Sequence, residues 1–223
     1  MDRAVIFDMD GVLVDSYRAH LRSWQMLARL HGLDLTEPQF AATFGKTSRE
    51  NIRTFWPHVS PDDIPAWDRQ KEAFYRQILQ EDFPAMDGAD ELLEELRRAG
   101  SKLAVGSSGP PENVEVVVRC LRSGRLLDAA VNGSEVDRGK PDPGIFLTAA
   151  RKLGIPPHGC AVVEDAPVGV EAARRAGMAA IALTGTAPRD RLGKADWVVD
   201  SLRELSAPKI AELIDRRCRR ADR

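Results

Sequence analysis

The sequence predicts an α/β fold: a parallel sheet with helices on both faces, into which an all-helical domain is inserted. Three observations carry this. Residues 83–223 alternate short β-type runs with amphipathic helical stretches, and residues 16–82 carry helical periodicity with almost no strand signal. The chain also opens on an apolar run, Ala4-Val5-Ile6-Phe7, whose character matches the later strands. The expected organisation is therefore a core of residues 1–15 and 83–223 interrupted by a helical cap, residues 16–82, with crossings near Asp15 and Phe83-Pro84. Two crossings imply a hinge, and a hinged insertion can serve as a lid over the carboxyl edge of the sheet.

After the first strand, Leu21, Trp24, Leu27 and Leu30 fall at helical spacing, with Ser16 as the expected N-cap and Gly32 closing the segment. Helical stretches follow near 37–44, 48–56 and 62–81, punctuated by Pro38, Gly45, Pro57 and Pro61. Trp24, Trp56 and Trp67 lie in these segments and read as core residues. In the second set, Lys102 to Gly106, Ala129 to Asn132, Ala161 to Glu164 and Ala179 to Leu183 read as strands. The helices between them are expected at Ala89 to Ala99, Glu112 to Arg122, Pro143 to Leu153 and Val168 to Ala176.

Composition narrows the function classes. With 32 Lys and Arg against 34 Asp and Glu, the net charge of −2 points neither to a nucleic-acid footprint nor to an acidic tail. Arg216, Arg217, Arg219, Arg220 and Arg223 make a basic end that reads as a solvated helix terminus or frayed tail. Cys120, Cys160 and Cys218 are too scattered for a disulfide framework or a zinc site. No apolar run reaches the roughly eighteen residues of a membrane span, and the opening strand leaves no room for a signal peptide. The expectation is a soluble, cytoplasmic monomer with no nucleic-acid or membrane partner.

Ligands of an open parallel sheet collect at the carboxyl ends of its strands, so chemistry-bearing side chains should stand where the predicted strands stop. The first strand ends at Asp8, followed by Met9-Asp10-Gly11-Val12; the second ends at Ser107-Ser108; the fourth ends at Glu164-Asp165. Gly139-Lys140-Pro141-Asp142-Pro143 adds a lysine just before a helix, with Asp142 as cap and Pro143 as first helical residue. Two carboxylates at one strand end repel each other and lose water unless a cation stands between them. Hard carboxylate oxygens favour magnesium over zinc, and with Mg²⁺ and Lys140 present a phosphate dianion can approach them.

The strand ending Asp8-Met9-Asp10-Gly11-Val12, followed by Asp15-Ser16, resembles the haloacid dehalogenase superfamily, in particular its phosphatases and β-phosphoglucomutase-like members. The resemblance implies a Rossmann-like core with an inserted cap, and it implies roles. Asp8 is the expected nucleophile forming an aspartyl-phosphate, and Asp10 the acid and base. Ser107 is expected to donate to the transferring phosphoryl group, and Lys140 to neutralise its oxygens. Magnesium would be held by the Asp8 side chain, the Asp10 backbone carbonyl and Asp165, with Glu164 in or just behind the coordination sphere. Ser108 joins the expected substrate contacts.

The insertion should select the substrate, a small phosphorylated metabolite. His20 and Arg49 match a His and an Arg of β-phosphoglucomutases, and a guanidinium at Thr47-Ser48-Arg49-Glu50 could grip a distal phosphate. Against a mutase, the chain has Gly45-Lys46 where those enzymes have Lys-Gly. It also has Pro110-Pro111 where they carry a lysine after the serine, which removes two amide donors from the helix start. Hydrolysis of a phosphate monoester is the leading expectation, a phosphosugar mutase the alternative, and a catalytically silent sensor the third.

Overall fold

Ala4–Phe7, four consecutive residues without exposed surface, form strand β1. A fully apolar run of this length needs cover on both faces, which a parallel sheet between helical layers provides. The computed structural model of the protein describes residues 2–43 and 45–221. Phe44, at the end of one expected helical stretch, and Arg223, in the basic end, lie outside the described residues, as does the side chain of Arg220.

The chain divides into two compact units, Met1–Asp15 with Pro84–Arg223, and Ser16–Phe83. In the first unit β1 is joined by β2 (Lys102–Gly106), β3 (Ala129–Val131), β4 (Cys160–Glu164), β5 (Ala179–Leu183) and β6 (Trp197–Val199). All neighbours are parallel, in the order β3-β2-β1-β4-β5-β6. The strand order reverses at β1, so the crevice between the ends of β1 and β4 is the topological switch point at which such sheets hold ligands. The sequence-predicted strands are present; β6, only three residues of Trp-Val-Val, was not predicted.

The second unit, Ser16–Phe83, contains α1 (Tyr17–Leu30), α2 (Glu37–Ala41), α3 (Ser48–Phe55) and α4 (Ile64–Glu81). The sheet unit carries α5 (Ala89–Arg98), α6 (Pro111–Cys120), α7 (Gly144–Leu153), α8 (Pro167–Arg175) and α9 (Ala207–Ala221). Ala4 and Ile6 of β1 turn into one core with Phe146 and Ala149 of α7 and Val170 and Ala173 of α8. Helix α9, absent from the expectations, buries Ile210, Ile214 and Cys218 at four-residue spacing. Its basic residues are therefore a helix terminus, with Arg216 paired to Glu212 and Arg217 to Asp196. The two chain crossings are clamped side by side, Asp15 N–H donating to Pro84 O and Met86 N–H to Leu13 O.

Two local expectations are corrected. Ser16 makes no side-chain cap to α1; its hydroxyl is buried without a partner among the described residues. Leu30, in phase with the apolar stripe of α1, is 57% exposed because it falls in the final turn. The helical unit still closes its own core around Trp24, Leu27, Phe40, Ile52 and Trp56. A capping box starts α3, Thr47 Oγ1 accepting from Glu50 N–H while the Glu50 carboxylate accepts from Thr47.

Candidate active site

Parallel register sets the site. Phe7 pairs with Val163, and Asp8 N–H donates to Val163 O at 2.9 Å, so the residues that follow, Asp8 and Glu164, leave adjacent strands at the same height. Lys140 arrives from the segment before α7, where Asp142 Oδ1 accepts Gly144 N–H at 2.9 Å and turns the chain into the helix. The helix begins at Gly144 with Pro143 as its N-cap residue, one position later than expected, so Asp142 lies just before the cap while its carboxylate still accepts from Gly144. The Lys140 ammonium lies 4.9 Å from the Phe146 ring centroid, donates to Asp8 Oδ1, and donates to Glu164 Oε1 at 2.5 Å.

All of these groups are buried. Asp8 is 7% exposed, Glu164 1% and Asp165 4%. Burial pushes the Asp8 carboxyl up to about 7; Lys140 opposes the rise, and the Glu164 and Asp10 charges add to it. Asp165 is raised well above the ordinary carboxylate range by burial and by the Glu164 and Asp8 charges. Burial disfavours the charged form of Lys140, yet the two carboxylates it touches overcome this and hold its affinity for the proton above normal. One cation thus faces three carboxylates. Burial raises the cost of keeping all three ionised, a cost that a further cation among them would lower.

The donor set is all oxygen. Both Glu164 oxygens already have partners: Oε1 meets Lys140, and Oε2 accepts the N–H groups of Asp165 and Ala166 at 2.9 Å each. Glu164 thus holds Lys140 with one oxygen and the chain after β4 with the other. Among the described residues no three His, Cys, Asp or Glu side chains form a ready metal cage. Magnesium needs no such cage, since it is held by one or two carboxylates with water and substrate phosphate completing its octahedron. Asp8 and Asp165 fit that requirement.

Close backbone approach shapes the pocket. Gly11 has φ +78°, a left-handed conformation, and a Cβ there would stand 2.0 Å from Asp165 Oδ2. Only glycine satisfies both conditions. Thr186, which the expectations missed, hydrogen-bonds the Asp165 carboxylate. It lies three residues beyond the end of β5, where the strand-end rule would instead have marked Thr184, whose hydroxyl donates to Asp200. Ser107 is buried at the end of β2 with its Oγ accepting Gly109 N–H at 3.0 Å; Ser108 is exposed beside it. Helix α6 begins at Pro111 with Pro110 as its N-cap residue, so its first turn lacks those amide donors, as the sequence implies.

In the helical unit the two expected substrate residues fare differently. Arg49 Nε donates to Asp68 Oδ2 at 3.1 Å and its side chain is 60% exposed, an ordinary surface pair. His20 stacks on Tyr75 with ring centroids 4.1 Å apart, and its Nδ1 accepts from Lys71 Nζ at 2.9 Å. Lys71 is 2% exposed, pairs with Glu72 at 2.9 Å, and sits 5.4 and 5.1 Å from the Trp24 and Tyr75 ring centroids. Ser48 Oγ donates to the same Glu72 oxygen at 2.8 Å. The sequence signal for Lys71 was its phase: it is the charged member of the stripe Ile64, Lys71, Tyr75, Ile78 that α4 buries.

Removing one member of a buried ion pair is costly because the other charge stays behind, and Glu72, its side chain 13% exposed, would lose the Lys71 ammonium. Lys71→Met is therefore expected to lower the melting temperature by about 5 °C or more, and Lys71→Ala, which also opens a cavity, to lower it further. A thermal melt followed by circular dichroism checks both.

The family profile of haloacid dehalogenase-like hydrolases matches residues 3–177. Validoxylamine A 7'-phosphate phosphatase of Streptomyces hygroscopicus subsp. limoneus is 34% identical over 217 residues, covering 94% of this chain and 99% of that protein. Hexitol phosphatase A of Escherichia coli (strain K12) is 35% identical over 209 residues, 93% of this chain and 94% of that one. Among solved structures, β-phosphoglucomutase from Clostridium difficile superposes with a TM-score of 0.82 at 25% identity, over 97% of this chain and 98% of its own. Matched along nearly its whole length, with its acidic strand ends and lysine gathered at the switch point of the sheet, the chain belongs to the haloacid dehalogenase-like hydrolase family.

Proposed function

We propose that the protein is a Mg²⁺-dependent phosphatase that hydrolyses a small phosphate monoester of the sugar or polyol phosphate class through an aspartyl-phosphate on Asp8. The observation that carries the reading is the buried Lys140 ammonium held between Asp8 and Glu164 at the carboxyl ends of β1 and β4. The phosphatases named above take their names from validoxylamine A 7'-phosphate and from hexitol, the latter a polyol, which supports the substrate class.

Asp8 Oδ attacks phosphorus, and Asp10 protonates the departing oxygen, then takes a proton from the water that cleaves the acyl-phosphate. Lys140, fixed by Glu164, faces the charge that grows on the equatorial oxygens, and Ser107 donates its hydroxyl to them. Asp8, the Asp10 carbonyl and Asp165 would hold Mg²⁺, which would supply charge neutralisation at the phosphoryl group. Of the cap candidates, His20 keeps a substrate-binding role together with Lys71, and Ser108 remains a contact of the phosphoryl end. Arg49, exposed and held to Asp68 by a weak surface pair, remains a candidate to grip a distal group of the substrate. A phosphoglucomutase-like reaction is the second reading, favoured by the C. difficile superposition; the proline start of α6 weighs against it, because a bisphosphate intermediate needs a grip on a second phosphate.

Phosphate release from a panel of hexose, pentose and polyol phosphates is the test. Turnover is expected with Mg²⁺ and a fall of at least about 100-fold with EDTA, restored by added Mg²⁺. A coupled assay from β-glucose 1-phosphate to glucose 6-phosphate that outpaces phosphate release would establish the mutase instead. Metal-independent turnover, or none on any ester, ends the proposal.

A further inference from the structure

Gly169 lies in the first turn of α8, and a methyl group placed on it would overlap the carboxyl group of Glu164. The added carbon would stand 1.8 Å from Oε1, 1.9 Å from Cδ and 2.4 Å from Oε2. All three are far inside van der Waals contact, so the bare Cα is the wall against which this carboxylate rests. The slot leaves the carboxylate no retreat. Glu164 is 1% exposed, its Oε2 is pinned by the N–H groups of Asp165 and Ala166, and its Oε1 meets Lys140. Alanine is intrinsically the better helix former, so glycine here stands against the local preference of α8.

We propose that Gly169 is a positioning residue that sets, through Glu164, where the Lys140 ammonium stands opposite Asp8. The inference rests on the reading of Asp8 as nucleophile given above. A side chain at 169 displaces the Glu164 carboxylate, and Lys140, bracketed between that carboxylate and Asp8, must follow it or lose a partner. The charge is then misplaced where the phosphoryl oxygens develop theirs, which lowers kcat more than it raises KM.

The experiment compares wild type, Gly169→Ala, Glu164→Ala and the double variant by melting temperature and by phosphate release from the best substrate of the panel. Gly169→Ala alone is expected to lower kcat by about 30- to 100-fold with KM changed less than about threefold. In the Glu164→Ala background, where the colliding carboxylate is gone, the same change should alter kcat by less than about twofold. The melting temperature adds a readout independent of turnover: Gly169→Ala lowers it beside Glu164 and raises it beside Ala, because only the helix preference then remains.

If Gly169→Ala does not fold while the double variant melts at or above Glu164→Ala, the proposal stands. A double variant that also fails to fold overturns it, as does a Gly169→Ala enzyme within about twofold of wild type or effects of the two substitutions that simply multiply. Should wild type itself release no phosphate, the assigned function fails, and the reversal in melting temperature still decides whether Gly169 seats Glu164.

Discussion

Asp8→Asn is expected to lower phosphate release by a factor on the order of 10⁴ or more while the protein folds as before. An amide has nearly the shape of a carboxylate but no nucleophilic oxygen, so the acyl-phosphate cannot form. Stability should be kept or gain, because the ionised Asp8 is unfavourable where it lies: burial is the largest influence on its carboxyl and acts against the charge. Lys140 loses one charged partner but keeps Glu164 at 2.5 Å. Single-turnover assays with acid quench, alongside a denaturation curve, check both halves. Residual turnover above about one-thousandth of wild type would end the case for covalent catalysis by Asp8.

Lys140→Met should have the second largest effect. The substitution keeps an unbranched apolar stem but removes the ammonium that pairs with Asp8 and Glu164 and lies over the Phe146 ring. Loss of one such electrostatic stabiliser is expected to lower kcat by about 10²- to 10³-fold. Removing the positive member of a buried ionic group also destabilises the fold, typically by several kcal/mol. Here two compensations reduce the loss. Glu164 retains two backbone N–H donors, and Asp8, already shifted up to about 7, takes up a proton at little cost near neutrality. We therefore expect a loss of about 2 kcal/mol at pH 7 without metal, read from urea denaturation. A variant as stable and as active as wild type would remove Lys140 from the site.

The sheet and its acidic edge were legible because each strand joins two signals: a short apolar run, and a polar group where the run stops. Asp8, Ser107, Glu164 and Asp165 follow from that rule, and Lys140 was marked by the helix start behind it. Strand β6 escaped because three residues carry no periodicity. Helix α9 escaped because its arginines drew attention from Ile210, Ile214 and Cys218. The partners of Glu164 could not be read from sequence, since a carboxylate next to Asp165 looks equally like a ligand or a brace. The two backbone amides on one oxygen and the bare Cα behind the carboxyl group lie in no pattern of the sequence around it. Lys71 was hidden for a related reason: a lysine in an amphipathic helix reads as solvated unless its phase is checked against the residues it accompanies.

The central position of β1 has a consequence for how the enzyme comes into being. Its Ala4 pairs with Lys102 on one side and Cys160 on the other, so the strand bearing Asp8 has no partner until those residues have been synthesised. At roughly 10 residues per second a ribosome takes on the order of 15 s to reach the second of them. Ser16–Phe83, by contrast, is one uninterrupted stretch with its own core, formed from nearer contacts that close sooner. Helical structure should therefore precede the sheet, with the nascent apolar strand waiting unpaired as the species most exposed to aggregation and to chaperones.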